Sequence, residues 1–456
     1  MLSKDTRNSA TSSLSGEMKL NTAVEISDFI AQKNIGIEMH QLMGEMYPIC
    51  RSITGNGVRE TLHIIGSHIP IEIHNVASGT KVFDWTVPKE WNIKDAYVKN
   101  SHGERVVDFR QSNLHVVNYS VPVKRRVSLS ELRPHLHTLP EHPEWVPYRT
   151  SYYNEDWGFC LAHRQFLDLK DEEYEICIDS GLQPGFLTYG EYFVPGDTAD
   201  EVLISCHVCH PSLANDNLSG IALSTFLARH LSAKKNRYSY RFLFIPGTIG
   251  SIIWLSQNES RASRIKHGLV LASLGAGDRF TYKKSRRGDA EVDRATCNVL
   301  RHSGIPYEIR EFSPYGYDER QFCSPGFNLP VGCLMRTPNG EFPEYHTSAD
   351  NLEFVQPLLL AESFEVTLGI VGALEGNGVY TNQNPKCEPQ LGKRGLYRAI
   401  GGVESRVDEL AILWILNLSD GKHSLLDIAE RSGCGFDTIK RSADMLLQHN
   451  LLKQTL

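Results

Sequence analysis

Three uninterrupted apolar runs, EVLISC (201–206), RFLFIP (241–246) and GLVLASL (268–274), constrain the fold of this chain more than any other feature of its sequence. A strand with one wet face alternates apolar and polar residues, whereas a strand buried on both faces stays apolar throughout. Amphipathic segments separate the runs: residues 217–231 carry an apolar stripe through Leu218, Ile221 and Thr225, and a shorter helical stretch surrounds Ser251. Continuous strands alternating with helices predict an α/β fold whose mostly parallel sheet is flanked by helices. Ligands of such sheets collect beyond the carboxyl ends of the strands.

The rest of the chain divides around this core. At 456 residues it is long enough for two or three domains. Residues 1–18 read as a mobile polar leader, and 19–70 with 126–385 as the α/β domain. Residues 71–125 hold short β-rich segments such as IEIHNV, KVFDWTV and HVVNYSVPV between turn signals, and predict an inserted β-rich domain. Residues 390–456 contain three helical patterns, two of them joined through Gly433-Cys434-Gly435, and resemble a winged-helix domain. Its acidic and basic residues nearly balance. Phosphate contacts dominate DNA affinity, so DNA is not the expected partner, even though Thr438, Lys440 and Arg441 are placed to face a groove. Docking onto a protein partner, a second copy or the chain itself is expected instead. The net charge of −7 also argues against a nucleic-acid binder. No apolar run approaches the length of a membrane span. The N-terminus lacks the apolar centre of a secretory signal, and ten scattered cysteines fit a reduced, cytoplasmic protein.

Chemistry concentrates in HVCHPSLANDNLSG, where His207 ends the first apolar strand and Asp216 opens the following helix, and in YHTSADN, which brings His346. Two imidazoles and a carboxylate, with a fourth position open, form the donor set of a catalytic zinc. Such an ion acidifies its water and polarises a carbonyl. His210 reads as a structural hydrogen-bonding residue ahead of Pro211. Cys206-His207-Val208-Cys209-His210 also spells a haem-attachment motif, which the absence of an export signal sets aside.

These two motifs resemble the first and last metal motifs of the M28-type zinc aminopeptidase family. CRSITGNGVRETL, YRTSYYNEDWGFC, YKKSRRG and YDERQFCSPGFNLPV point more closely to bacterial aminopeptidase-like proteins with a C-terminal winged helix, linked to polysaccharide biosynthesis. The resemblance implies that His207, Asp216 and His346 hold metal, with Asp216 in the position that bridges two ions. It also exposes departures. Cys209 replaces the aspartate of the first motif, Gly247 and Thr248 replace the paired glutamates, and Ser273 and Leu274 stand where another aspartate is expected. One zinc ion is therefore expected rather than two. Glu319 is the candidate replacement base, with an ion pair to Arg320 as its competing role. Asp318, Arg51 and Trp157 are candidate substrate contacts. The implied function is hydrolysis of an amide in a small aminoacyl or N-acyl substrate, in surface polysaccharide biosynthesis. The alternative is a non-catalytic binding protein that keeps the peptidase fold.

Overall fold

The computed structural model describes residues 23–396 and 403–455; the expected leader lies outside them. Eight strands form the main sheet: β1 (Glu72–Ala77), β2 (Phe186–Val194), β3 (Glu201–His207), β4 (Ser239–Ile245), β5 (Ile265–Leu271), β6 (Phe280–Lys283), β7 (Tyr307–Arg310) and β8 (Val331–Met335). Their order is β1-β2-β4-β3-β5-β8-β6-β7. The four central strands β4, β3, β5 and β8 are mutually parallel. β3 and β4 are buried at every residue, as their unbroken apolar sequences require. On one face pack α1 (Ala23–Met46), α3 (Gly220–Ser232), α5 (Glu291–His302) and α6 (Pro357–Gly376), whose side chains join one large core. α4 (Ile249–Gln257) covers the other face through Ile249, Ile252, Ile253 and Trp254. α2 (Asn56–Gly66) packs against β2. Against the sequence expectation, α6 is long and apolar enough to cross a membrane by length and composition. Here its Leu360, Phe364, Ile370 and Leu374 are buried in the core shared with α1, α3 and α5.

The inserted domain has other limits than 71–125. β1 pairs with β2 in the main sheet. The insertion's own sheet consists of Arg105–Asp108, Glu90–Lys99, Glu173–Gln183 and Val123–Ser128, in that order and antiparallel. Glu173–Gln183, expected in the α/β domain, thus belongs to the insertion. Its Tyr174, Ile176 and Ile178 point into a separate small core.

The C-terminal unit also starts earlier than 390. Val379–Asn382 is the central strand of a three-stranded sheet, between Asp420–Ser424 and Leu452–Gln454. Helices Val403–Leu418, Leu425–Ser432 and Phe436–Gln448 complete a winged helix. It sits on α5. Arg294 pairs with Asp427 (2.5 Å) and Glu430 (2.5 Å), while Asn298 accepts from the Phe436 amide (2.8 Å) and donates to the Cys434 carbonyl (3.3 Å).

Candidate metal centre

The site lies where the parallel strands end. His207 is the last residue of β3, in register with Ile245 of β4. The chain then turns through His210 into a distorted turn, Ala214–Ser219, in which Asp216 and Asn217 leave helical geometry before α3 begins. Asp350 shapes that turn, its carboxylate accepting the amides of Asn215 (2.6 Å) and Asp216 (2.9 Å). Asn217 donates to the Leu271 carbonyl at the end of β5 (3.0 Å), and its amide lies 3.4 Å from His207 Nδ1. His346 follows β8 with φ 55°, a left-handed backbone uncommon outside glycine. The Tyr148 amide holds it there by donating to its carbonyl (2.7 Å).

Asp216 joins the two histidines. Its Oδ1 lies 2.7 Å from His207 Nε2 and its Oδ2 lies 3.1 Å from His346 Nε2, with the Tyr317 hydroxyl 3.4 Å from Oδ1. His210 packs between them, its ring 4.8 Å from that of His207 and 5.0 Å from that of His346. Burial opposes the Asp216 charge. His210, His207 and the histidine hydrogen bonds outweigh it and hold the carboxyl well below the usual carboxylate range. Burial, with Asp216 working against it, pushes His210 well below the usual histidine range. Burial also lifts Asp350 to about 7.

The donor set fits a zinc-type ion. His207, His210 and Asp216 each offer a ligand atom within 4.8 Å of the others, and nitrogen–oxygen sets of this kind suit zinc. His207, Asp216 and His346, joined through the two oxygens of Asp216, would hold the ion with a fourth position left for water, and His210 stands beside them as an alternative nitrogen donor. His346 stays 32% exposed and opens onto a cleft of about 550 Å³ lined by His142, Tyr148, Arg149, Tyr345 and Thr347.

The remaining predicted residues fall outside the ligand set. Glu319 is fully buried and ion-paired to Lys283 rather than Arg320. Its pairing leaves it unsuited as a free base. Lys283 also donates to the Tyr315 carbonyl (2.7 Å). Trp157 stacks on His135 (3.6 Å between centroids) against the insertion core, so it does not wall this cleft. Arg51 is buried beneath the site and donates to the carbonyls of His210 (2.7 Å) and Met46 (2.5 Å), fixing the His210 backbone. Asp318 is buried behind Gly247, with Oδ1 2.8 Å from the Ser251 hydroxyl. Sequence reasoning missed His210 as a donor, along with Tyr148 and Tyr317. The spacing of His210 three residues beyond His207 was a visible signal; Tyr148 and Tyr317 open two of the quoted motifs, but their side-chain chemistry does not single them out.

Comparison with known proteins agrees with this fold. Residues 40–377 match a family described as a domain of unknown function, DUF4910, and residues 378–454 match a winged helix-turn-helix family. A Clostridium acetobutylicum protein is 56% identical over 431 residues, covering 94% of this chain and 99% of its own. It carries the provisional description of a polysaccharide biosynthesis protein with an aminopeptidase-like domain. A crystal structure from that organism, provisionally described as a peptidase, superposes with a TM-score of 0.90 at 54% identity, covering 95% of this chain and 100% of that one. A zinc aminopeptidase from Bacillus subtilis shares the fold at 12% identity, with a TM-score of 0.56 over 75% of this chain and 95% of its own. An aminopeptidase-like α/β domain and a C-terminal winged helix are thus both present, and the chain belongs to the DUF4910 family.

Proposed function

We propose that the chain is a metal-dependent hydrolase that cleaves an amide in a small aminoacyl or N-acyl compound. The observation that carries this reading is the junction of Asp216 with His207 and His346 at the carboxyl edge of the sheet, with His210 beside them. A bound zinc would supply an acidified water and an electrophile for a carbonyl. The chain's own groups do the rest. His346 faces the cleft, Arg149 and His142 line it, and Tyr148 and Tyr345 flank His346 with ring centroids at 5.1 and 3.9 Å. That polar lining suits a small polar substrate better than a protein chain. The description of the Clostridium acetobutylicum relative supports an amide carried on a sugar or sugar precursor.

A non-catalytic role is the second reading, favoured by glycine and threonine at 247 and 248 and by the engagement of Glu319 with Lys283. We also propose that the ten cysteines, all free thiols, reflect a reducing cytoplasmic location, and that the winged helix serves docking rather than DNA binding. Elemental analysis tests the metal reading: wild type should carry about one zinc per chain, and His207→Ala and His346→Ala should each lose it. A wild type that stays metal-free after incubation with zinc would leave the binding role in the lead.

A further inference from the structure

We infer that Asp318, rather than Glu319, is the carboxylate that takes the proton of the attacking water; the inference rests on the hydrolase reading. Three observations converge. Asp318 is fully buried, and its Oδ2 has no hydrogen-bond partner among the described residues. Both oxygens of Glu319 also lack a hydrogen-bond partner, but Glu319 is neutralised by its ion pair with Lys283, whereas Asp318 has no ion pair among the described residues, and an orphan buried carboxylate oxygen is costly. Its direction is fixed. A Cβ built on Gly247 would stand 3.1 Å from His207 Cβ and 3.5 Å from Asp318 Oδ2, so the oxygen faces the turn that ends β4, next to the first imidazole. With glycine at 247 no side chain stands between that oxygen and His207, at the place where the resemblance expects a glutamate.

The third observation is a proton count. The Ser251 hydroxyl lies 2.7 Å from the Thr248 carbonyl and 2.8 Å from Asp318 Oδ1. A hydroxyl has one proton. Ser251 can give that proton to Asp318 Oδ1 whether Oδ2 is bare or protonated, or turn it to Thr248. The seat therefore accommodates both protonation states without rearrangement, as a group that takes and returns a proton requires. In the step proposed, the water oxygen bonds to the amide carbonyl carbon while its proton passes to Asp318 Oδ2. That proton then moves to the amide nitrogen as the C–N bond breaks, giving the carboxylic acid and the amine.

The test is Asp318→Asn, which keeps shape and the Ser251 contact, titrated with cobalt(II) and then with acetohydroxamic acid while the cobalt absorption band is followed. A hydroxamic acid gives up a proton on binding to a metal and so needs a nearby acceptor. Cobalt uptake should match wild type within about twofold, hydroxamate affinity should fall at least about tenfold, and any aminoacyl p-nitroanilide turnover of wild type should drop about 10²–10⁴-fold. The paired change Lys283→Met with Glu319→Gln, which leaves no lone buried charge, should keep wild-type hydroxamate affinity. Unchanged hydroxamate affinity in Asp318→Asn, or loss of cobalt from it, would overturn the role of Asp318 while the metal site stands. A wild type that takes up no cobalt would overturn both.

Discussion

Gly316 shows how much of this site's surroundings depends on single atoms. Its φ is 154°, and a Cβ there would run into both Glu319 Oε1 and Lys283 Nζ. Neither charge can retreat into solvent, since their side chains are 0% and 7% exposed. Gly316→Ala should therefore break a buried ion pair and cost about 3–5 kcal/mol, read as a fall in the urea midpoint with an unchanged slope. A loss below about 1 kcal/mol would mean that the pair reorganises freely. Residue chemistry also decided what was legible beforehand. His207, Asp216 and His346 stood out because they sit at strand ends in short motifs. Asp318 and Tyr317 reach the site only because the loop before β8 folds behind the end of β4, where Asp318 meets Ser251 across 67 residues of sequence. The same sequence reading chose Glu319 over Asp318, because neighbouring acids in a loop cannot be told apart until one of them meets Lys283.

At the scale of elements, β5 carries an acid-sensitive position. His267 is buried beside Tyr238, and neither ring nitrogen has a hydrogen-bond partner among the described residues. Burial, aided by Arg237 and Lys266, lowers it from the ordinary value to about 4. The unfolded chain therefore binds a proton between about pH 6.5 and 4 that the folded chain refuses, and stability falls as pH drops through that window. The expected loss is up to about 3 kcal/mol, from about 1.4 kcal/mol per pH unit. His267→Leu should remove that share of the slope while all other groups titrate alike; parallel stability profiles for the two proteins would contradict it. The elements of the sheet were readable for the same reason that their titrations are perturbed: strands buried on both faces leave no polar alternation. Glu173–Gln183 was misassigned although its sequence held the clue. Tyr174, Ile176 and Ile178 alternate with exposed or half-exposed residues, the pattern of an antiparallel strand with one open face, unlike β3 and β4.

For the whole molecule, the question is what the winged helix is for. Its third helix, Phe436–Gln448, is the one that would enter a major groove, yet its N-terminus is turned onto α5 by the Asn298 contacts. Thr438 lines a cavity of about 740 Å³ between the two domains, and Lys440 is paired with Asp444 at 2.6 Å and packs over Gly376. Of the three residues expected to face DNA, two are therefore committed elsewhere, and Arg441 stays exposed. The full chain should not be retained on duplex DNA even at about 10 mM salt, where phosphate attraction is strongest. Retention there that weakens steeply with salt would refute the docking role. Docking itself predicts a calorimetric behaviour. Arg294 is 30% exposed and faces both Asp427 and Glu430, so Arg294→Glu replaces two attractions with two repulsions. Each attraction is worth about 0.2–1 kcal/mol at such exposure, and the reversal should about double the effect. Wild type should unfold in a single transition, because the backbone and ion-pair contacts couple the winged helix to α5. Arg294→Glu should separate a lower-temperature transition for the C-terminal unit while leaving metal content unchanged. If wild type already shows two transitions, the domains are energetically independent, and the winged helix is a tethered module rather than part of the frame of the α/β domain.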